Sequence, residues 1–150
     1  MALNVELLGK RYQSMTYEVG REKIREFAAA VGDSNPAYLD VDAARSLGHT
    51  DLVAPPTFAV VVTRGPQLAV IEDPELGLDF SRVVHGDQKF EFARPIVAGD
   101  VLTTTASVAA AHNRAGNDFL TIRSDVVGSD GEPVVSVFAT LVARAAEVDA

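Results

Sequence analysis

The sequence predicts an α+β fold in which an antiparallel sheet is wrapped around one long central helix. Two observations carry that prediction. The stretch "APPTFAVVVTRGPQLAVIED" is apolar on nearly every face, and four long strand-like segments follow it, the last three divided by turn signals. A helix apolar all round needs cover on every side, and a sheet that curls around it provides that cover. The chain has 150 residues, 47% of them apolar, which is enough for a proper core in a single domain, 1–150.

The elements follow in order. "SMTYEVG" reads as a short strand with Tyr17 and Val19 on one side. "REKIREFAAAVG" places Ile24, Phe27, Ala28 and Val31 at i, i+3, i+4 and i+7, an amphipathic helix stopped by Gly32. Arg21, Glu22, Lys23, Arg25 and Glu26 form its solvated face. "DVDAARSLG" reads as a short second helix with Gly48 past its end. Pro55 and Pro56 suit the start of the central helix, where a missing N–H costs nothing, and Gly65-Pro66 is expected to kink or interrupt it. Its many valines keep a buried strand open as the competing reading, and the two leading prolines favour the helix. "HGDQKFEFARPI" alternates Gln88, Phe90 and Phe92 against Lys89 and Glu91. "DVLTTTASVAAAH" is rich in Thr and Val, and "DFLTIRSDVVG" sets Leu120, Ile122 and Val126 against Thr121, Arg123 and Asp125. "GEPVVSVFATLVAR" is apolar on both faces, as in a central strand of a covered sheet. Turns at "NRAGND" and "GSDGE" make the last three an antiparallel meander.

Charge and composition narrow the function. Twenty-one acidic residues against thirteen basic give a net charge of −8, which argues against nucleic acid and anionic membrane surfaces as partners. Without cysteine there is no disulfide, no thiolate metal site and no thiol nucleophile. The N-terminal "MALNVELLGKRYQ" does not read as a signal peptide, and the longest apolar run is too short to span a bilayer. A cytoplasmic location is the expectation.

The stretch "AAAVGDSNPAYLD", residues 28 to 40, holds the densest chemistry: Asp33, Asn35 and Tyr38 within one short loop after a helix. Pro36 stiffens the loop and pushes Asn35 toward an extended backbone. A rigid loop presenting a carboxylate and an amide suits acid–base work. It equally suits a plain Asx-turn, because Asp and Asn after helices bond their own backbone. The residues alone leave both readings open.

"FAAAVGDSNPAYLDVDAA" resembles the signature of MaoC-like (R)-specific enoyl hydratases and (3R)-hydroxyacyl dehydratases, with Phe27, Gly32, Asp33, Asn35, Pro36 and Ala44 in matching places. "HTDLVAPPTF" is similar to that family's turn into its central helix, and "HGDQKFEFARPIVAGDVL" to its strand and Gly-Asp hairpin. The order of elements agrees with the family's hot-dog fold. "YEVGREKIREFAAAVGD" resembles the N-terminal type of such domains, as in the A subunit of the mycolic-acid dehydratase and its actinobacterial relatives. The resemblance implies that an Asp and a His hold the water added to, or lost from, an acyl-CoA or acyl-ACP thioester. It also implies that backbone N–H groups at the start of the central helix bind the thioester carbonyl, here near Pro56, Thr57 and Phe58. Neither Pro55 nor Pro56 supplies such a donor.

Position 38 departs from the signature, which has His where this chain has Tyr38. A phenol has a pKa of ~10 against ~6.5 for imidazole, and closing that gap needs roughly 4 kcal/mol of differential stabilisation. Asp33 and Asp40 push the other way. The loop therefore reads as an active-site loop that has lost its base. Among the three histidines, His85 beside Gly86 is the candidate replacement, His49 reads as a loop hydrogen-bonder and His112 as solvated. No two have metal-ligand spacing on a helix, so no metal is expected, and no cofactor. Asp100 reads as support for a hairpin. Arg94 is a candidate contact for a CoA or phosphopantetheine phosphate, with a surface ion pair as the plainer account.

Three functions follow as expectations. The first is a dehydratase subunit, paired with a second hot-dog subunit that carries the intact Asp/His motif, whose Phe58, Val61 and Val62 line an acyl channel. The second is a stand-alone hydratase or thioesterase using Asp33 with Tyr38 or His85. The third is a homodimer that binds an acyl thioester without turning it over.

Overall fold

The computed structural model describes residues 2–146. Five strands form one sheet in the order β1-β3-β4-β5-β2, every neighbouring pair antiparallel. They are β1 (Met15–Glu18), β2 (Val83–Phe92), β3 (Val101–Arg114), β4 (Asn117–Val127) and β5 (Pro133–Ala143). Three α-helices precede β2: α1 (Arg21–Val31), α2 (Val41–Ser46) and α3 (Ala59–Ile71). The meander β3-β4-β5 falls where the two turn signals place it.

The alternation in β3, β4 and β5 seats the central helix. Leu120, Ile122, Ser124 and Val126 of β4, and Val135, Val137, Ala139 and Leu141 of β5, are buried on one side of the sheet. The other side of β5 is only partly covered, so this strand is one-faced rather than covered on both faces. On β2, Gln88 and Phe90 pair with Ala139 and Val137 and so point the same way as the core. Lys89 and Glu91 pair with Phe138 and Ser136 on the open side. There Lys89 and Arg123 lie over the Phe138 ring at 5.2 and 5.3 Å.

The central helix differs from its sequence-based expectation in two ways. It buries Ala59, Val62, Thr63, Pro66 and Val70, a single stripe, while Val60 and Arg64 are exposed and Val61 is half-buried. The sheet covers one side of the helix and leaves the other open within this chain. Pro66 sits inside the helix without interrupting it. Its missing N–H leaves one backbone acceptor unserved, and Pro66 is among the buried residues of the helix. As expected, Pro56 opens the element, in a 3-10 turn (Pro56–Phe58) that leads into α3.

In α1, Ile24 and Ala28 are fully buried, whereas Val31 is 53% exposed. Val31 lies in the last turn, where Gly32 turns left-handed (φ 74°) and carries the chain away from the core. Phe58 is the hub of the first half of the core. It is fully buried, with Phe27 and Tyr17 edge-on at 5.5 and 6.4 Å between ring centroids.

The N-terminal segment carried no signal in the sequence, yet it closes the far end of the sheet. Leu3 is buried beside Val70, Leu76, Val108 and Leu120. Lys10 and the Tyr12 hydroxyl both donate to Asp73 at 2.7 Å, joining this segment to the end of α3. Among the described residues, no helix is long and apolar enough to cross a membrane.

Candidate active site

The loop after α1 is built by its own side chains. Asp33 accepts from the backbone N–H of Asn35 at 3.1 Å, and Asn35 accepts from the N–H of Ala37 at 3.0 Å, capping a 3-10 turn at Pro36–Tyr38. The Asx-turn reading is therefore realised at both residues. Asp33 keeps its other carboxylate oxygen and is exposed. Tyr38 is half-buried and packs against two parts of the core. Burial raises the pKa of its phenol, and the neighbouring Asp33 carboxylate raises it further. Position 38 is thus held further from a base than an exposed tyrosine is.

Beside this loop lies a cavity of about 460 Å³. Asn35, Tyr38, Pro56 and Arg94 are brought together on its wall. Joining them are Leu47, His49, Val53, Pro55, Phe92 and Ile96. The remaining expected site residues are not among its lining. His85 is exposed on β2, just before a bulge at which a Cβ on Gly86 would lie 3.1 Å from Val142. Val61 lines a different groove with Lys23, Val60, Arg64 and Gln67. Phe58 has no exposed surface in this chain, and its ring fills the core. His49, read from the sequence as a loop hydrogen-bonder, lines this cavity, and a loop histidine carries no periodic signal of where it points.

Arg94 is committed to ion pairs. Its guanidinium meets both oxygens of Asp100, at 2.9 and 3.1 Å, and Glu132 at 3.1 Å. Asp100 also accepts from the N–H of Val97 at 3.0 Å, so it supports the hairpin as expected. The Asp100 pair holds the Arg94 pKa above its usual value. Here the plainer account of Arg94 is the observed one.

Backbone donors at the entry to α3 are scarce. Pro55 and Pro56 have none, and the N–H of Phe58 donates to Pro55 O at 2.8 Å. Among the described residues, the N–H of Thr57 has no backbone or side-chain acceptor, and Thr57 is exposed. One backbone N–H at the entry to the helix, that of Thr57, is therefore left without a partner, although Thr57 is not among the residues lining the cavity. No group of His, Asp and Glu among the described residues is arranged to hold a metal.

A curled antiparallel sheet with one central helix, and an Asp-x-Asn-Pro loop on a cavity at the start of that helix, define a hot-dog dehydratase fold. Residues 6–137 match the family profile described as "FAS1-like, dehydratase domain region", and the chain belongs to that family. It is 59% identical over 148 residues to a UPF0336 protein of Streptomyces coelicolor, covering 98% of this chain and 99% of that one. Among solved structures it is similar to the HadBC (3R-hydroxyacyl-ACP dehydratase) complex from Mycobacterium tuberculosis, with 35% identity and a TM-score of 0.80. That match covers 91% of this chain and 96% of the other. It is also similar to a MaoC-like dehydratase, with 33% identity and a TM-score of 0.85, covering 93% of this chain and 43% of that one.

Proposed function

We propose that this chain is a subunit of a (3R)-hydroxyacyl-thioester dehydratase, equally an enoyl hydratase in the reverse direction, in fatty-acid metabolism. Its partner is a second hot-dog chain that carries the Asp/His pair, and its own cavity shapes the path of the acyl chain. The observation that carries this reading is the Tyr38 phenol, pushed away from base function by burial and by Asp33 inside an otherwise preserved loop. The partner's imidazole would then abstract or return the proton at the carbon next to the thioester, where this chain has no equivalent at position 38.

Two further features support an assembly. The outer edge of β2 pairs with no strand among the described residues, which leaves ten residues of edge able to accept another strand. The open side of α3, with Val60 at 37% exposure, needs cover that this chain does not supply. A similar chain is found in a HadBC complex, which supports a paired state here.

The test is co-expression with a hot-dog chain from the same cell that bears the His-containing motif. The expected result is a stable heterodimer that hydrates a crotonyl thioester, with little turnover by this chain alone. Failure of the two chains to associate, at micromolar concentration and in low salt, would remove the reading.

A second reading has its own support, in the single N–H left at the entry to α3. A site with one oxyanion donor binds a thioester better than it polarises one. On that reading the chain is a homodimer that holds acyl thioesters without reacting them. Saturable binding with no product over hours, and no heterodimer, identifies it.

A further inference from the structure

The loop between α2 and α3 is fixed at every step, and it delivers a histidine to the cavity. At the end of α2, Gly48 turns left-handed (φ 92°), its N–H donates to Arg45 O at 3.0 Å, and the N–H of His49 donates to Ala44 O at 3.1 Å. This is the six-to-one and five-to-two pair of bonds that closes a helix in the Schellman manner. The residue after the glycine is normally apolar there, because its side chain folds back on the last turn. Here that place holds an imidazole.

The rest of the loop is tied down independently. Arg45 Nε donates to Thr50 O at 3.2 Å, and Arg21 clamps both oxygens of Asp51 at 2.7 and 2.9 Å. The N–H of Val53 donates to Ala37 O, and that of Ala54 to Ile96 O. His49 is therefore held in place before any ligand arrives. Its imidazole is half-buried on the wall of the cavity that Asn35 and Tyr38 also line, and it makes no hydrogen bond among the described residues.

The ring nitrogens are not sealed from solvent, so they are free to exchange water for a polar group of a ligand in the cavity. Arg94, on the same wall, is engaged by Asp100 and Glu132. His49 is an imidazole on this wall that has no side-chain partner among the described residues, and its ring offers both a donor and an acceptor. We propose that His49 is a substrate-contacting residue: its imidazole hydrogen-bonds the polar segment of the acyl thioester, the carbonyl or the amides of the pantetheine arm. This inference rests on the thioester reading above and adds the residue that recognises the ligand. Two readouts separate it from a merely structural histidine, one on the ring itself and one on affinity.

The probe is crotonyl-pantetheine, which is neutral and lacks the nucleotide phosphates that would bind elsewhere on the surface. It is titrated into the labelled chain, in whichever assembly the chain is recovered, while the imidazole resonances of His49, His85 and His112 are followed. The expected result is a saturable shift of the His49 resonances with the other two unmoved. H49F, which restores the apolar residue that this helix end prefers, should bind the probe about 10-fold more weakly and melt no lower than wild type. H49Q, which keeps a donor and an acceptor, should stay within about 3-fold of wild type. A titration that saturates with His49 silent, or H49F binding as tightly as wild type, overturns the inference and leaves the dehydratase reading standing. Absence of any thioester binding in either assembly overturns both.

Discussion

Replacing Tyr38 by His tests the premise on which the functional reading depends. At pH 7 a phenol with a pKa of ~10 is about 0.1% phenolate, and an imidazole with a pKa of ~6.5 is roughly three-quarters neutral. The structure widens that gap, because burial and Asp33 both hold the Tyr38 phenol protonated. The substitution therefore raises the population of competent base by about 10³ or more. A phenolate is the stronger base of the two and gives back part of this, leaving a net gain of about 10- to 100-fold in hydration rate. The assay is loss of the conjugated thioester's ultraviolet absorbance, with purified Tyr38→His and wild type at equal concentration. Tyr38→Phe is the control: the phenol oxygen has no hydrogen-bond partner among the described residues, so its removal should change the melting temperature by less than ~2 °C and give no gain in rate. A folded Tyr38→His protein no faster than wild type would refute the argument. So would a Tyr38→Phe protein at least 10-fold slower, because the phenol would then be doing chemistry.

Other consequences are equally direct. Phe58→Ala empties a site with no exposed surface and should cost about 3–5 kcal/mol, read by urea denaturation, with no change in acyl-length preference among the molecules that stay folded. Arg94→Ala leaves the Asp100 carboxylate with the Val97 N–H alone; the expected loss is about 1–2 kcal/mol and a fall of roughly 2–8 °C in melting temperature, with thioester affinity unchanged. Asp73 has its pKa lowered, first by its bond from Lys10 and then by that from Tyr12. A lowered folded-state value means stability that is complete above the unfolded value of about 3.9 and is lost as pH falls through the folded one. Thermal melts of Asp73→Asn below pH 4 should therefore depend on pH less steeply than those of wild type.

Much of the fold was legible because period and punctuation agree in this chain. Ile24 and Ala28 recur at helical spacing, Gly32 and Gly48 end their helices, and the two Gly-Asp/Asn turns mark out the meander. Where the reading missed, a non-local partner decided. Apolarity around α3 says nothing about whether the cover comes from this chain or another, so the exposed Val60 was invisible in the sequence. Leu3 and Tyr12 belong to a segment without periodicity, and contacts from Val70 and Asp73, some sixty residues on, give it its place.

The site divides along the same line. Asp33 and Asn35 are local devices: each bonds a backbone N–H two residues away, so the sequence that contains them also explains them. The cavity is assembled from the α1–α2 loop, the α2–α3 loop and the chain at and just after the end of β2, segments far apart in sequence that backbone bonds such as Val53 to Ala37 and Ala54 to Ile96 tie together. His85 looked useful because a glycine and a strand surround it, yet β2 carries it on an open edge away from the cavity lining. His49 looked ordinary because loops often hold histidines. What singles it out is its neighbour: Gly48 commits the backbone to a helix-ending turn whose next residue is usually apolar, and that residue here is an imidazole facing a cavity. A departure from a local rule, at a position whose backbone is already fixed, is the kind of sequence signal that points to a ligand rather than to the fold.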